Sequence, residues 1–596
     1  MEETDLRRLI NNVKRGRLSR RGFVKRMAAV GIAAPIANQL LSLSGVAMAA
    51  TPFDYKPTKR GGGGTLKVLW WQAPTLLNPH FATGTKDQDG SRIFYQPLAG
   101  WDADGNLIPQ LAAEIPSLEN GGVAKDGTYV VWKLKKDVKW HDGKPFTADD
   151  VVFNWEYASN PATAAVTSGS YTYNKAVKVD DYTVRVEFKK PTPFWADPFV
   201  GTNGMIIPKH IFEPFIGAKA HAAPANLKPV GTGPFKFKDF RPSEYVSGVI
   251  NTDYYEPNKP YFDAIEMKGG GDATSAARAV LETAEYDYAW NLQVEWTVLK
   301  QLEKAGKGVI ELVSSANVEH IQLNNTDPNK VVDGQRSSLK APHPTLTDPA
   351  VRQALSLLID KDSVQKYIYG PEAVATPNYV NAPPRYYSKN THWEFNIAKA
   401  NEILDKAGYK KGSDGIRAKN GNKLKYVFQT SINGPRQKNQ EIVKQACAKA
   451  GIDIVIKAIP ASVFFSSDVG NPDTYPKFYA DLQMYTTGSN YPDPWQWMQS
   501  FVSTQASQKS NNWEGRNITR WQSPAYDKLY AEAGNEMDPV KRTAMLIKLN
   551  DMVVDNIVVI PELHRMNVSA QVKNLVTRLR GWEDDMWDVA SWYRNA

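Results

Sequence analysis

The sequence predicts an α/β fold, and three observations carry that reading. Strand-like and helix-like segments alternate along the whole chain, with no long block of either kind alone. The stretch Trp140–Val151 compresses one strand–turn–helix alternation into twelve residues. At 596 residues the chain is too long for one hydrophobic core, so two or three lobes are expected.

The first 50 residues read as a targeting label. All nine of its Lys and Arg residues fall before Met27, an Ala/Gly/Ile stretch runs from Met27 to Ala37, and Ala47-Met48-Ala49 has the small residues of a cleavage signal. Ser19-Arg20-Arg21-Gly22-Phe23-Val24-Lys25 resembles the twin-arginine motif, which exports folded proteins across the bacterial inner membrane. The apolar run is too short and too interrupted to span ~30 Å of hydrocarbon. No Cys lies near the cleavage signal to carry a lipid anchor. The expectation is export, cleavage near Ala49 and a soluble mature protein. The label holds nine basic residues against Glu2, Glu3 and Asp5, so its removal takes the net charge from +9 to +3. A charge that small makes no case for nucleic-acid binding.

Thr51 to Gly64, with four consecutive glycines, reads as a flexible leader. Thr65–Trp71 is a first strand leading into Leu77-Asn78-Pro79-His80. A helical Ser91–Leu98 follows, then a turn at 101–105. Tyr129–Lys135 is a strand rich in β-branched and aromatic residues. Asp142-Gly143 is a turn signal. Thr147 reads as an N-cap, with Asp149 and Asp150 in a first turn where carboxylates suit the helix dipole. Asp348–Ser363 is a helix capped by Asp348 with Pro349 at its first position. Ala398–Ala407 is another, stopped by Gly408. Cys447, the one cysteine, sits in the helical stretch Gln440–Ala450; it excludes an intrachain disulfide or thiolate cluster and reads as a buried small hydrophobe.

Catalytic chemistry leaves no mark. There is no Gly-x-Ser-x-Gly, His-Glu-x-x-His or Gly-Lys-Ser/Thr loop, and Gly231-x-Gly233 lacks the third glycine of a dinucleotide fingerprint. The eight histidines show no ligand spacing, so neither a metal nor another cofactor is expected, and His141, within the Trp140–Val151 stretch, reads as a surface residue or one that backs a site without touching its ligand.

Several blocks, in one order, resemble the family 5 extracellular solute-binding proteins, the peptide, nickel and oligosaccharide receptors of ABC importers. They are Gly63-Gly64-Thr65-Leu66, Asp104–Ala112, Trp140–Val151, Val179–Val184, Lys190–Phe194, Pro229–Phe235, Asn251–Tyr255, Asp348–Leu355, Tyr491–Pro494 and Asp538–Arg542. The resemblance covers nearly all of residues 62–565. It implies a two-lobed periplasmic-binding-protein fold of type II with an additional inserted domain and a two-segment hinge. A discontinuous first lobe (65–98, 211–324 and 561–596), an inserted domain (99–210) and a second lobe (325–560) are expected. The implied role is a monomeric periplasmic receptor, not an enzyme, that delivers a small solute to an inner-membrane ABC permease. A peptide-like cargo is expected first, an oligosaccharide or opine second; a secreted enzyme is the reading of another class.

The candidate cleft runs from Tyr479 to Trp497, a strand followed by a proline-stiffened loop. In peptide-binding relatives the backbone of the matching stretch pairs with an extended peptide, and an Asp takes the ligand's amino group. Here that position is Asn490, and an Arg that some relatives carry six residues earlier is Met484. Gly488, Ser489, Asn490, Tyr491, Asp493 and Trp495 are the candidate contacts, with Trp70, Trp71 and Thr85 on the facing wall. Tyr491, Trp495 and Trp497 are able to stack on a sugar or to serve as core aromatics.

Overall fold

The computed structural model describes residues 8–9, 12–13, 18, 20–28, 53–102, 105–466, 470–513 and 515–595. The expected cleavage signal at 47–49 lies outside them. Two large sheets organise the rest. The first has seven strands in the order Gly308–Val313, Asn567–Val572, Tyr288–Ala289, Thr65–Leu69, Ala264–Lys268, Tyr245–Ile250, Phe235–Arg241. The second has six, in the order Ala373–Ala375, Val559–Arg565, Val318–Leu323, Leu482–Thr487, Lys425–Ser431, Asp453–Ile459. Thr65–Leu69 and Lys425–Ser431 each run parallel to both neighbours, and helices cover the sheets as parallel strands require. This is the expected two-lobed α/β fold.

The lobes are joined by two short crossovers. The chain leaves the first sheet at Val313 and enters the second at Val318; it leaves the second at Arg565 and re-enters the first at Asn567. The two crossovers are tied together: Arg565 N donates to Asn317 O (2.9 Å), Ser315 Oγ to Arg565 O (2.7 Å) and Asn317 Nδ2 to Asn567 Oδ1 (2.7 Å). Val559–Arg565 is held in the second sheet by its pairing with Val318–Leu323.

The inserted domain is a three-stranded sheet, Tyr129–Lys133, Thr183–Phe188 and Asn174–Asp180, under the helix Ala148–Ser159. Its Trp132, Val184 and Val186 share one continuous core with Leu66, Val68 and Ile265 of the first lobe, while Phe428, Ile454 and Leu482 of the second lobe form a separate core. The inserted domain is thus packed as part of the first lobe.

The twelve-residue alternation is a structural knot. Asp150 accepts from Thr147 N (3.0 Å), Trp140 Nε1 (3.2 Å) and Lys209 N (3.0 Å). His141 accepts at Nδ1 from Gly231 N (3.1 Å) and lies 3.0 Å from Gly233 O through Nε2. This pattern needs the neutral ring, and burial drives its pKa down to about 4. Cys447 is buried, as expected.

Two helices depart from expectation. The helix expected at Ser91–Leu98 is Thr85–Arg92 instead. Its sequence has no apolar residue, so hydrophobic periodicity could not reveal it, and Pro97 disfavours helix at the residue before it. The helix expected over Asp348–Ser363 stops at Ser356, and a separate turn, Lys361–Val364, starts from its own cap, Asp360. Asp348 caps as expected by accepting from Ala350 N (2.9 Å). No helix among the described residues is long and apolar enough to cross a membrane.

Candidate functional site

Strand Leu482–Thr487 leads out of the second-lobe core to the gap between the lobes. Leu482 to Met484 are flanked on one side by Phe428 to Thr430 and on the other by Ile321 to Leu323. From Tyr485 on, only the Val318–Leu323 side keeps a strand partner among the described residues; Thr430, opposite Met484, is the last residue of Lys425–Ser431 to pair with this strand. Tyr485–Thr487 therefore presents an open main-chain edge, half-buried at Thr486 and Thr487. Thr486 is fixed from beneath by a buried ion network. Its hydroxyl donates to Glu319 Oε2 (2.6 Å) and accepts from Arg436 Nη2 (3.0 Å). Burial opposes ionisation of Glu319, but Arg436 and Arg565 outweigh it and bring its pKa down to about 2.

The loop that follows divides sharply. At Gly488 an added Cβ would lie 2.7 Å from the Ala316 carbonyl carbon, so glycine is required where the loop crosses the hinge segment. Ser489 is spent on its own turn, donating to Tyr491 O (2.9 Å). Asn490 is exposed, with no side-chain hydrogen bond among the described residues. Tyr491 is buried edge-on against Phe194 of the inserted domain at 5.8 Å. Asp493 is buried and held at both oxygens by Arg542, with Nη2 to Oδ1 at 3.0 Å. Burial alone would raise its pKa; the Arg542 charge and hydrogen bonds win and lower it. Trp495 stacks on Tyr530 at 4.8 Å and donates to its carbonyl (3.0 Å), and Trp497 stacks on Tyr379 at 4.1 Å.

On the facing side, Trp70 is wholly buried, stacked on Trp290 (5.8 Å) and donating to Asp89 (3.0 Å). Trp71 is half-buried and donates to Asn291 O (3.0 Å). Thr85 is exposed at the start of its helix. The structure thus leaves Asn490 exposed beside the half-buried Gly488, buries Trp70 and Asp493, and half-buries Trp495 against Tyr530.

Sequence reasoning missed the groups that join the two sides. Gln496 donates to Asp197 of the inserted domain, which also accepts from Tyr173 OH (2.6 Å) and Ser170 Oγ (3.1 Å); burial pushes its pKa up to about 6. At the other end Asn433 donates to Gln293 (3.1 Å) and Lys438 pairs with Glu295 (2.8 Å). No local signal marks these residues, since each partner lies far away in sequence.

Two lobes on a double hinge, meeting around an open strand edge, define a hinged solute-binding protein. Residues 106–509 match the model of the bacterial extracellular solute-binding proteins, family 5, middle region, and the chain belongs to that family. The oligopeptide-binding protein AppA of Bacillus subtilis (strain 168) is 28% identical over 492 residues, 80% of this chain and 81% of the relative. The glutathione-binding protein GsiB of Escherichia coli (strain K12) is 25% identical over 521 residues, 84% and 89% of the two chains. A solved structure of Bacillus subtilis AppA with a nonapeptide superposes at TM-score 0.76 and 24% identity, covering 91% of this chain and all of that one. NikZ of Campylobacter jejuni with Ni(L-His) gives TM-score 0.75 at 25% identity, covering 89% and 99%.

Proposed function

We propose that this protein captures a peptide-like solute in the periplasm and delivers it unchanged to an inner-membrane ABC permease, acting as a monomer. The observation that carries the reading is the open edge of Tyr485–Thr487. An extended main chain added there forms strand hydrogen bonds, which give affinity independent of side chains. The names of the relatives, oligopeptide- and glutathione-binding, agree with such cargo. Asn490 at the end of this edge offers a donor and an acceptor but no charge, and Asp493 is tied to Arg542, so a cargo ammonium finds no carboxylate here. Blocked or neutral amino ends suit this site.

A sugar reading draws little support from Trp495 and Trp497, each of which already has one face stacked, on Tyr530 and on Tyr379. A metal-bearing cargo draws none from protein ligands: no group of three His, Cys, Asp or Glu residues able to hold a metal occurs among the described residues. We assign 65–98, 211–313 and 567–596 to the first lobe, 99–210 to the inserted domain and 318–565 to the second lobe. Export is assigned to Arg20-Arg21 and cleavage to the region of Ala49; an Arg20→Lys, Arg21→Lys pair should leave precursor in the cytoplasm.

Closure about the two crossovers drives the population shift when cargo binds the closed state better. Small-angle scattering of the mature chain should give a smaller radius of gyration with cargo, and mass spectrometry should recover that cargo unaltered. A chemically altered product would move the protein to the enzymes.

A further inference from the structure

One carboxylate is buried in the seam where the inserted domain meets the second lobe. Asp197 is wholly buried, and three neutral donors hold it. Tyr173 OH (2.6 Å) and Ser170 Oγ (3.1 Å) reach it from its own domain, and Gln496 Nε2 reaches it across the seam. Gln496 is fixed by its neighbours on the short helix Trp495–Met498, since Trp495 stacks on Tyr530 and Trp497 on Tyr379. Phe194 meets Tyr491 edge-on in the same seam.

The charges around Asp197 are few. Four phenols face it, Tyr171 and Tyr173 from the inserted domain and Tyr491 and Tyr530 from the second lobe. Burial holds all four well above the ordinary tyrosine range, so they stay neutral. The cation that faces it is Arg516 of the second lobe, an exposed side chain whose Nη2 would lie 3.9 Å from a Cβ at Gly169. Arg516 favours the ionised carboxylate, as do the hydrogen bonds, but burial outweighs them. Asp197 makes no ion pair among the described residues. A carboxylate shut away from water without a cation in contact is costly to keep ionised. Opening the seam withdraws Gln496 and Tyr491 and readmits water, which favours the ionised form. The closed arrangement therefore keeps a proton that the open one gives up.

We propose that Asp197 couples closure of the inserted domain onto the second lobe to the uptake of a proton, so that acid favours the closed, cargo-holding form and rising pH favours opening. The inference rests on the hinged-receptor reading above. Asp197 is a positioning residue, acting on cargo through closure. Burial raises its pKa from 3.8 to about 6 in the closed form. The proton's contribution to closure is then complete below pH 3.8 and lost as the pH rises through about 6.

Two measurements on the mature chain test the coupling. Small-angle scattering without added peptide, at pH 5 and 7.5, should give the smaller radius of gyration at pH 5. Native mass spectrometry reads the retained fraction of an N-acetylated, free-acid pentapeptide pool lacking Asp, Glu, His and Cys, which brings almost no titration of its own between these pH values. Retention should be about tenfold stronger at pH 5. Calorimetry with retained peptides at pH 5.5, in buffers of different ionisation enthalpy, should count uptake of a large part of one proton on binding. Asp197→Asn keeps an acceptor but cannot ionise, so it should remain closed at both pH values and take up no proton. If Asp197→Asn does not fold, Gln496→Ala tests the same seam: it admits water to the carboxylate and should shrink the pH dependence. Equal closure and equal retention at the two pH values overturn the coupling and leave the receptor reading intact. A pH dependence that survives in Asp197→Asn, or in Gln496→Ala where that variant decides, also overturns it. Retention of no peptide at either pH removes the peptide-like reading instead, and the scattering then decides the coupling alone.

Discussion

Tyr485–Asn490 and Tyr491–Trp497 are consecutive in sequence and opposite in what they leave free. The first segment is short on large side chains after Tyr485, yet it keeps an open strand edge and an exposed amide at Asn490. The second is dense with aromatics and carries a carboxylate, and nearly all of it is committed: Tyr491 to Phe194, Asp493 to Arg542, Trp495 to Tyr530, Trp497 to Tyr379. The difference teaches that residue chemistry alone does not mark a binding surface. A group is available only if the fold has left it unpaired, and aromatic or charged groups near a large core are the first to be paired.

Four substitutions test this division. Removing the partner of Asp493 should have the largest effect. Arg542→Leu leaves a buried carboxylate alone, and unfolding of the mature chain should show a loss of about 3–5 kcal/mol. A loss under about 1 kcal/mol would mean that Asp493 has relaxed into solvent and is free for cargo after all. Trp495→Ala should cost about 3 kcal/mol through the lost stack and packing on Tyr530, while leaving the affinity of the retained peptides unchanged. A fall in affinity with stability intact would return Trp495 to the binding surface.

Gly488→Ala pushes a methyl group against the backbone of Ala316. Overpacking of this kind costs about 1–3 kcal/mol. Because the contact is with a hinge crossover, the scattering change on adding cargo should shrink too; an unaltered closure would separate Gly488 from the hinge. Asn490→Asp should disturb stability least, within about 0.5 kcal/mol at an exposed site. It should instead raise affinity for free-amine peptides by about 1–3 kcal/mol as a charged hydrogen bond forms. Calorimetry with matched free and acetylated peptides reads this directly. Tight binding of the free peptides by the unmodified protein, lost on acetylation, would restore the ordinary ammonium site.

Legibility in the sequence followed the range of the interactions. Caps at Asp348 and Thr147 and the stop at Gly408, which has φ 86°, were readable because each acts within a few residues. The helix Thr85–Arg92 was not. Its buried face is polar, and it is held by partners at the other end of the chain: Arg92 by Glu583, and Asp89 by the amide of Met586. The strand that carries the open edge could be located, but not where its pairing stops. That end is set by where the neighbouring strand Lys425–Ser431 stops, one residue past Thr430, the last to pair with it.

The sequence by itself determined the α/β alternation, the helix caps and turns, the lone buried cysteine and, through its ordered blocks, the family resemblance. These rest on backbone preferences and side-chain chemistry that act locally or repeat along the chain. The tertiary structure alone decided which candidate groups are spent and which are free. Asp493 finds Arg542 at a separation of 49 residues, Asp197 finds Gln496 at 299, and Arg385 finds no acceptor for its Nε and Nη1 among the described residues. The physical reason is that pairing a buried polar group depends on what the fold places within about 3 Å of it, and that distance has no counterpart in sequence order.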